Sequence, residues 1–491
     1  MISHASFSTL HAPRLVCLLA ALPLLATGCR TNPTAGFKDV QQNVASRTGQ
    51  TPEWPQTSAE IDRTDASVRE LISRELTIDN TVQIALLNNR SLRATLEELG
   101  ISRAEVIQAG LPRNPQFFAS FRFPDRPPSG TDIEYSIAQD FLDLLLLPLK
   151  KRLAQVQLEQ TKLRLSHHIL QLIAEVKTAF FTVQARQQLI KRLEAITDLN
   201  EAGADLASRQ RKAGNITALE LANEAAVFQQ AKIELARTGA QLRVDREHLN
   251  RLLGLWGPNT AWKIADSLPP LPAAEAPIEH VETLAIKQRL DLAAAQQQVA
   301  IAAYSLNLRG KTRYLPASVN IGIDTERGPD PQRVTGPTLD LELPIFDHGQ
   351  ADIVRLNSQY RQAQERLEAL ATDIRSEVRQ ARDSLIAARD LTEFYRTIYL
   401  PQRIRILNET QLQYNAMQDG PFQLISAKER ELTAEREYAE AWRDYWIARA
   451  ELEKAVGGRL SGEIPLAQSD GERDGVRGKQ PATDQHEHHN K

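Results

Sequence analysis

The chain has 491 residues, 25% of them charged, with a net charge of −3 and two cysteines. That length exceeds one simple core and suits two or three domains or a long repeat. With no basic surplus, nucleic acid is excluded as a natural partner.

Residues 1–28 read as a secretory signal: Arg14, the apolar run Leu15 to Ala26, then small residues. The run is shorter than the ~20 residues that span a bilayer. Cleavage before Cys29 would leave it the sole cysteine of the mature chain. A disulfide within that chain is then excluded, and lipidation is the natural use of the thiol; a plain signal peptide is the alternative. Residues 29–66 are polar, carry Pro33, Pro52 and Pro55, and predict an extended leader.

Residues 67–254 form a first unit. A helix is predicted from Asn80 to Ala109, capped by Asp79 or Thr81, with Val82, Ala85, Leu86, Leu92, Leu96 and Leu99 as its apolar stripe. The period then changes. Phe117, Ala119, Phe121 and Phe123 alternate with other residues, as do Ile133, Tyr135 and Ile137, giving a β-hairpin over 116–139 with one apolar and one polar face. Such a hairpin could equally be a small soluble one packed on helices. A long arm follows from Leu149 to about Arg209, in which Ile169, Ile173, Val176, Phe180 and Val183 step by 4, 3, 4 and 3, a coiled-coil seam. Gly214 breaks it, and Thr217 with Glu220 three residues on has the capping-box spacing that opens the return arm to Leu253. At 1.5 Å per residue this hairpin is roughly 90 Å long.

A Pro-rich connector, 255–277, leads to a second unit, 278–458, with the same order: helix, strand 318–324, loop, strand 338–343, long arm, tip near Met417, return arm. An offset of 203 pairs Gly214 with Met417, Leu219 with Phe422, Leu221 with Leu424 and Gly254 with Gly457. One offset that fits both the tip and the far end signals an internal repeat. Residues 459–491 are polar and predict a disordered tail; His486, His488 and His489 in it are a weak metal-binding feature at most.

Four strands with one apolar and one polar face match a membrane β-barrel wall with a wet lumen. Four strands also leave two open edges, which hydrocarbon forbids, so the barrel must close by oligomerising. At this point the chain resembles the TolC-like outer-membrane efflux proteins of the lipoprotein branch. The residues that carry the resemblance are Leu25 to Cys29, a lipoprotein box with Ala26 in place of the usual Leu; Leu343 to Gly349 before the second arm; Arg211, Gly214, Thr217, Leu219 and Ala222 at the first tip; and Tyr414 to Met417 at the second. It covers about residues 66 to 458.

The resemblance implies a mainly α fold with a transmembrane β part. Long coiled-coil hairpins would build a periplasmic α-barrel, and a homotrimer would close a 12-stranded β-barrel in outer-membrane lipid. It further implies that tips bearing Arg211, Gly214, Thr217, Leu219, Tyr414 and Met417 dock onto a periplasmic adaptor, coupled to an inner-membrane transporter of the RND type. Acid rings that narrow the tunnel entrance in close relatives fall here on Gln423 and Ser426, and at the first tip on Glu220 and Asn223. Glu220 is thus the one candidate constriction residue, and its capping role is the plainer alternative.

Catalytic, cofactor and metal motifs are absent from the sequence, so no enzyme, cofactor or metal centre is expected. His167 and His168 face about 100° apart on a helix and make a poor metal pair. A periplasmic adaptor, which has one hairpin rather than two, and a type I protein-secretion duct are the alternatives to an efflux duct. The exported substrate is not encoded in any motif.

Overall fold

The structure, a computed structural model, describes residues 34–460 apart from 124, 127–129, 274, 276–279, 317 and 329–331. Cys29, the signal segment and the tail beyond residue 460, with its three histidines, lie outside the described residues. Two compact units form. One gathers residues 34–42, Arg93–Leu165 and Gln296–Ala363; the other gathers Asn43–Leu92, Ser166–Ala295 and residues 364–460.

The first unit holds the sheet. Strands β1 (Gln116–Arg122), β2 (Asp132–Asp140), β3 (Val319–Arg327) and β4 (Arg333–Leu341) pair antiparallel in the order β1-β2-β3-β4. The register sets Phe117 opposite Ile137, Ile137 opposite Ile323, and Ile321 opposite Leu339. Strands β3 and β4 run further into their connecting loop than the expected 318–324 and 338–343, because backbone pairing carries on where the apolar alternation has stopped: Glu326 still pairs with Val334 and Arg327 with Arg333.

The helical parts correct the sequence reading in several places. The leader is not extended: α1 (Phe37–Thr48) and α2 (Ser58–Ser73) are helices. Each buries only a narrow stripe, Phe37, Val40, Val44 and Thr48 in one and Thr64 and Val68 in the other. Too few apolar residues mark such a stripe for periodicity to show it, although Thr57 and Glu60 do close a capping box. The single helix expected over 80–109 is two, α3 (Ile78–Asn88) and α4 (Arg90–Ala109), and Thr77 rather than Asp79 or Thr81 caps the first. The long arm α5 (Phe141–Lys212) starts eight residues before Leu149 and contains Pro148. Pro148 is the eighth residue of that helix, past its first turn, so it forfeits the bond an amide there would make to the Leu144 carbonyl and its ring crowds that carbonyl.

The return helix α6 (Ala218–Leu253) ends at Gly254. The second half repeats the break: α7 (Val281–Gln288), α8 (Leu290–Thr312), then α9 (Gln350–Phe394), a π-helical turn at Tyr395–Tyr399, α10 (Leu400–Asn415) and the return helix α11 (Pro421–Val456).

In the second unit the seams are core. Ile169, Ile173, Val176, Phe180 and Val183 are buried on α5, and Ile374, Val378 and Leu385 on α9, so the 3/4 spacing marks the packed stripe. Leu189, Leu193, Ile196, Ala231 and Leu432 then join α5, α6 and α11 in one apolar cluster. The connector is not a loose linker. Trp262, Ile264 and Leu268 are buried, and the Pro269 carbonyl accepts from the indoles of Trp442 (2.9 Å) and Trp446 (3.0 Å). Glu275 pairs with Arg389 at 2.7 Å and accepts from Tyr445. Burial and that hydrogen bond hold the Tyr445 hydroxyl well above its ordinary pKa.

Both halves use one junction. The returning helix ends in a left-handed glycine, Gly254 or Gly457, set against the break in the preceding helix pair. Asn88 donates to the Leu253 and Gly254 carbonyls (3.0 and 2.8 Å) and Asn89 to that of Leu252 (2.8 Å). Those carbonyls are the ones a helix C-terminus leaves without donors. In the second half, Arg289 donates to the Ala455 carbonyl (3.3 Å) and pairs with Asp291 and Glu377. Polar side chains at a helix break thus close off the end of each returning helix.

Candidate docking tips and two-faced sheet

The sheet divides its side chains by face. Phe117 (69% exposed), Phe121, Tyr135, Ile137, Ile321, Ile323 and Leu339 (63%) share one face and are bare in the single chain. Tyr135 stacks on Phe117 and meets Phe121 edge-on. The other face carries Asp132, Glu134, Asp140, Asp324, Glu326 and Asp340, with Arg122 near Asp132 (3.6 Å) and Glu134 (3.5 Å). Glu134 lies directly opposite Glu326. Two like charges so placed repel, an arrangement suited to a wetted surface and not to a packed core. Strands β1 and β4 are edges with unpaired backbone groups on their outer sides. No helix among the described residues is long and apolar enough to cross a membrane.

The two hairpin tips belong to the second unit. At the first, the Gly214 amide donates to the Arg211 carbonyl (3.1 Å) and the Asn215 amide to that of Gln210 (2.9 Å). This pair of bonds is the Schellman helix ending, and Gly214 supplies its left-handed residue at φ +81°. Arg211 also donates to the Ile216 carbonyl (3.0 Å), which ties the loop back to its helix. Thr217 then caps α6. Its hydroxyl accepts from the Glu220 amide (3.1 Å), and Glu220 accepts from the Thr217 amide (2.6 Å) and hydroxyl (2.9 Å). Those bonds hold the Glu220 carboxyl below its ordinary pKa. Leu219 stands 70% exposed beside them.

The second tip copies the first. The Met417 amide donates to the Tyr414 carbonyl and the Gln418 amide to that of Gln413, both at 2.9 Å. Here the left-handed residue is Met417, at φ +59° and 94% exposed, and it is the one residue other than glycine with positive φ among those described. A side chain in that conformation costs roughly 1–2 kcal/mol.

The structure thus gathers Arg211, Gly214, Thr217, Leu219 and Glu220 at one tip and Tyr414 and Met417 at the other. Asn223, Gln423 and Ser426 lie on the helices leading from them. Three features escape the sequence reading: the π-helical turn, the strain at Met417, and the junctions at Asn88, Asn89 and Arg289. An Asn pair inside an apparently continuous helix was an available signal for a junction, since Asn favours caps over helix interiors. Among the described residues, no group of three or more His, Cys, Asp or Glu side chains is placed to hold a metal ion.

A two-faced sheet with open edges, joined to two long helical hairpins, defines the fold of the TolC-like outer-membrane channels. No protein-family model matches the chain. It is similar to the cobalt-zinc-cadmium resistance protein CzcC of Cupriavidus metallidurans, 22% identical over 393 residues that cover 78% of this chain and 90% of that protein. Among solved structures it resembles a membrane protein from Pseudomonas aeruginosa (TM-score 0.66, 19% identity, 84% of this chain and 98% of the other). It also resembles the CmeC outer membrane channel of Campylobacter jejuni (TM-score 0.63, 14% identity, 84% and 91%). The expected fold class, mainly α with a small antiparallel sheet, holds.

Proposed function

We propose that the chain is the outer-membrane exit duct of a tripartite efflux system and acts without catalysis. The observation that carries this is the four-stranded sheet, apolar and bare on one face, acidic on the other, and open at both edges. Three copies joined edge to edge make 12 strands, an even number within the range of closed membrane barrels. The apolar face then meets lipid and the acidic face lines the lumen. The helical hairpins continue as a periplasmic tunnel, and their tips meet a periplasmic adaptor coupled to an inner-membrane transporter of the RND type. Glu220 serves there as a cap, and any constriction at that level would draw on the same carboxylate. Lipidation at Cys29 adds a second membrane anchor, so Cys29→Ser removes fatty-acid labelling without preventing assembly.

Divalent metal cations are the cargo class best supported. CzcC carries cobalt, zinc and cadmium in its name. The carboxylates on the polar sheet face also raise the local concentration of cations. The deciding experiment is light scattering of the purified protein in mild detergent, with the detergent mass subtracted. A trimer is expected, and a monomer would sink the duct. For the cargo, a deletion strain should become sensitive to zinc, cobalt or cadmium; sensitivity to organic drugs alone would reject the metal reading.

A further inference from the structure

Four helices end at the tips and junctions of the two hairpins, and all four finish in the same two-bond turn. Three of these turns place glycine at the left-handed position: Gly214, Gly254 and Gly457. Gly254 has no freedom to change, because a Cβ there would stand 2.5 Å from the Asn88 carbonyl oxygen. The two tips differ. Nothing lies within 4 Å of where a Cβ on Gly214 would be, so space does not restrict the residue at a tip. Only backbone strain does, and strain favours glycine. The second tip nevertheless holds methionine.

A strained side chain persists where its surroundings or its role require it. No packing within the chain requires Met417, because there it is 94% exposed, more than any other large apolar residue described. Its backbone conformation does not require it either, since glycine adopts that turn more easily. What remains is a use for the side chain outside this chain.

We propose that Met417 is the anchor by which the second tip selects its partner, plugging into an apolar recess at the end of the periplasmic adaptor's helical hairpin. This rests on the tip docking proposed above. Charge supports the same occupant. The first tip presents Arg211 and Lys212, both exposed, whereas no base lies between Tyr414 and Pro421 at the second. The second tip carries one acid instead, Asp419, so a matching partner surface carries carboxylates opposite the first tip and, opposite the second, an apolar hollow for Met417 with no carboxylate beside it. Methionine suits such a hollow, being unbranched and polarizable, so it fills an irregular recess that a β-branched side chain does not.

The test measures binding of the full-length trimer in detergent to the purified adaptor of the same efflux system. Three variants are compared with the parent: Met417→Gly, Met417→Leu and Leu219→Asp. Met417→Gly should bind about ten- to a hundredfold more weakly, the range for withdrawing one buried apolar side chain. It should also slow hydrogen exchange of the Met417 and Gln418 amides, because the strain is relieved. A merely structural Met417 would not give tighter local structure together with weaker binding. Met417→Leu should stay within about threefold of the parent, since volume and apolarity are kept.

Leu219→Asp alters an exposed position on the first tip and reports on tip docking itself. If Leu219→Asp weakens binding and Met417→Gly does not, tip docking stands and the anchor is overturned. Unchanged binding in both overturns tip docking. Equal losses for Met417→Leu and Met417→Gly, or faster exchange in Met417→Gly, would also overturn the anchor.

Discussion

Replacing Ile323 by arginine is expected to be among the most damaging single changes in the sheet. Ile323 sits mid-strand in β3, opposite Ile137 on one side and Pro337 on the other, on the face whose apolar side chains are bare. If that face meets lipid, a guanidinium there costs roughly 2–4 kcal/mol near the bilayer midplane. The matched control is Ser136→Lys, on the opposite face and directly across from Asp324. An opposite-charge pair across a ladder contributes about 0.2–1 kcal/mol, so this variant should fold as well as the parent or better. Heat-modifiable migration in gels, with trimer yield after membrane extraction, reads both. Loss of the trimer in Ile323→Arg and its retention in Ser136→Lys is the expected pattern. The reverse pattern would mean that the acidic face, not the apolar one, is the covered surface.

The sheet was the part of this chain most readable in its sequence, for a physical reason. A strand alternates its side chains with a period of two, so Phe117, Phe121, Ile133, Tyr135, Ile137, Ile321 and Ile323 declare both the strands and their faces. The first seam was equally plain, because Ile169 to Val183 repeat a heptad spacing that has few other uses. What stayed hidden was of two kinds. The leader helices bury too few residues to imprint a period on the sequence. The breaks at Asn89 and Arg289 interrupt a helix without interrupting its composition, so only tertiary contacts, with the Leu252 to Gly254 and Ala455 carbonyls, reveal them. At the tips, the equivalence of Gly214 and Met417 was visible as an offset. The conformation that makes methionine costly there was not, because a side chain in a glycine position carries no mark of its backbone angle.

The junction glycines should separate strain from space. Gly214, Gly457 and Gly254 share one left-handed turn, at φ +81°, +86° and +67°, but differ in what a Cβ would meet. Alanine at Gly214 meets nothing, so only the backbone cost of about 1–2 kcal/mol remains. At Gly457 the Cβ would lie 3.2 Å from the Arg289 Cγ and 3.3 Å from its Cα, close enough that Arg289 must shift slightly. At Gly254 it would lie 2.5 Å from the Asn88 carbonyl oxygen and 3.1 Å from its carbonyl carbon. Backbone atoms cannot move aside as a side chain can, so α3 must separate from the end of α6. The bonds from Asn88 and Asn89 to the Leu252, Leu253 and Gly254 carbonyls then lengthen or break. Overpacking of this kind costs about 1–3 kcal/mol beyond the strain. Hydrogen exchange followed by mass spectrometry should therefore rank the alanine variants. Gly214→Ala should speed exchange only at the tip, Gly457→Ala modestly around Arg289, and Gly254→Ala strongly across residues 85–92 and 249–255. Comparable local losses at Gly254 and Gly214 would show that the Asn88 contact does not hold the junction, and that backbone conformation alone fixes these helix ends.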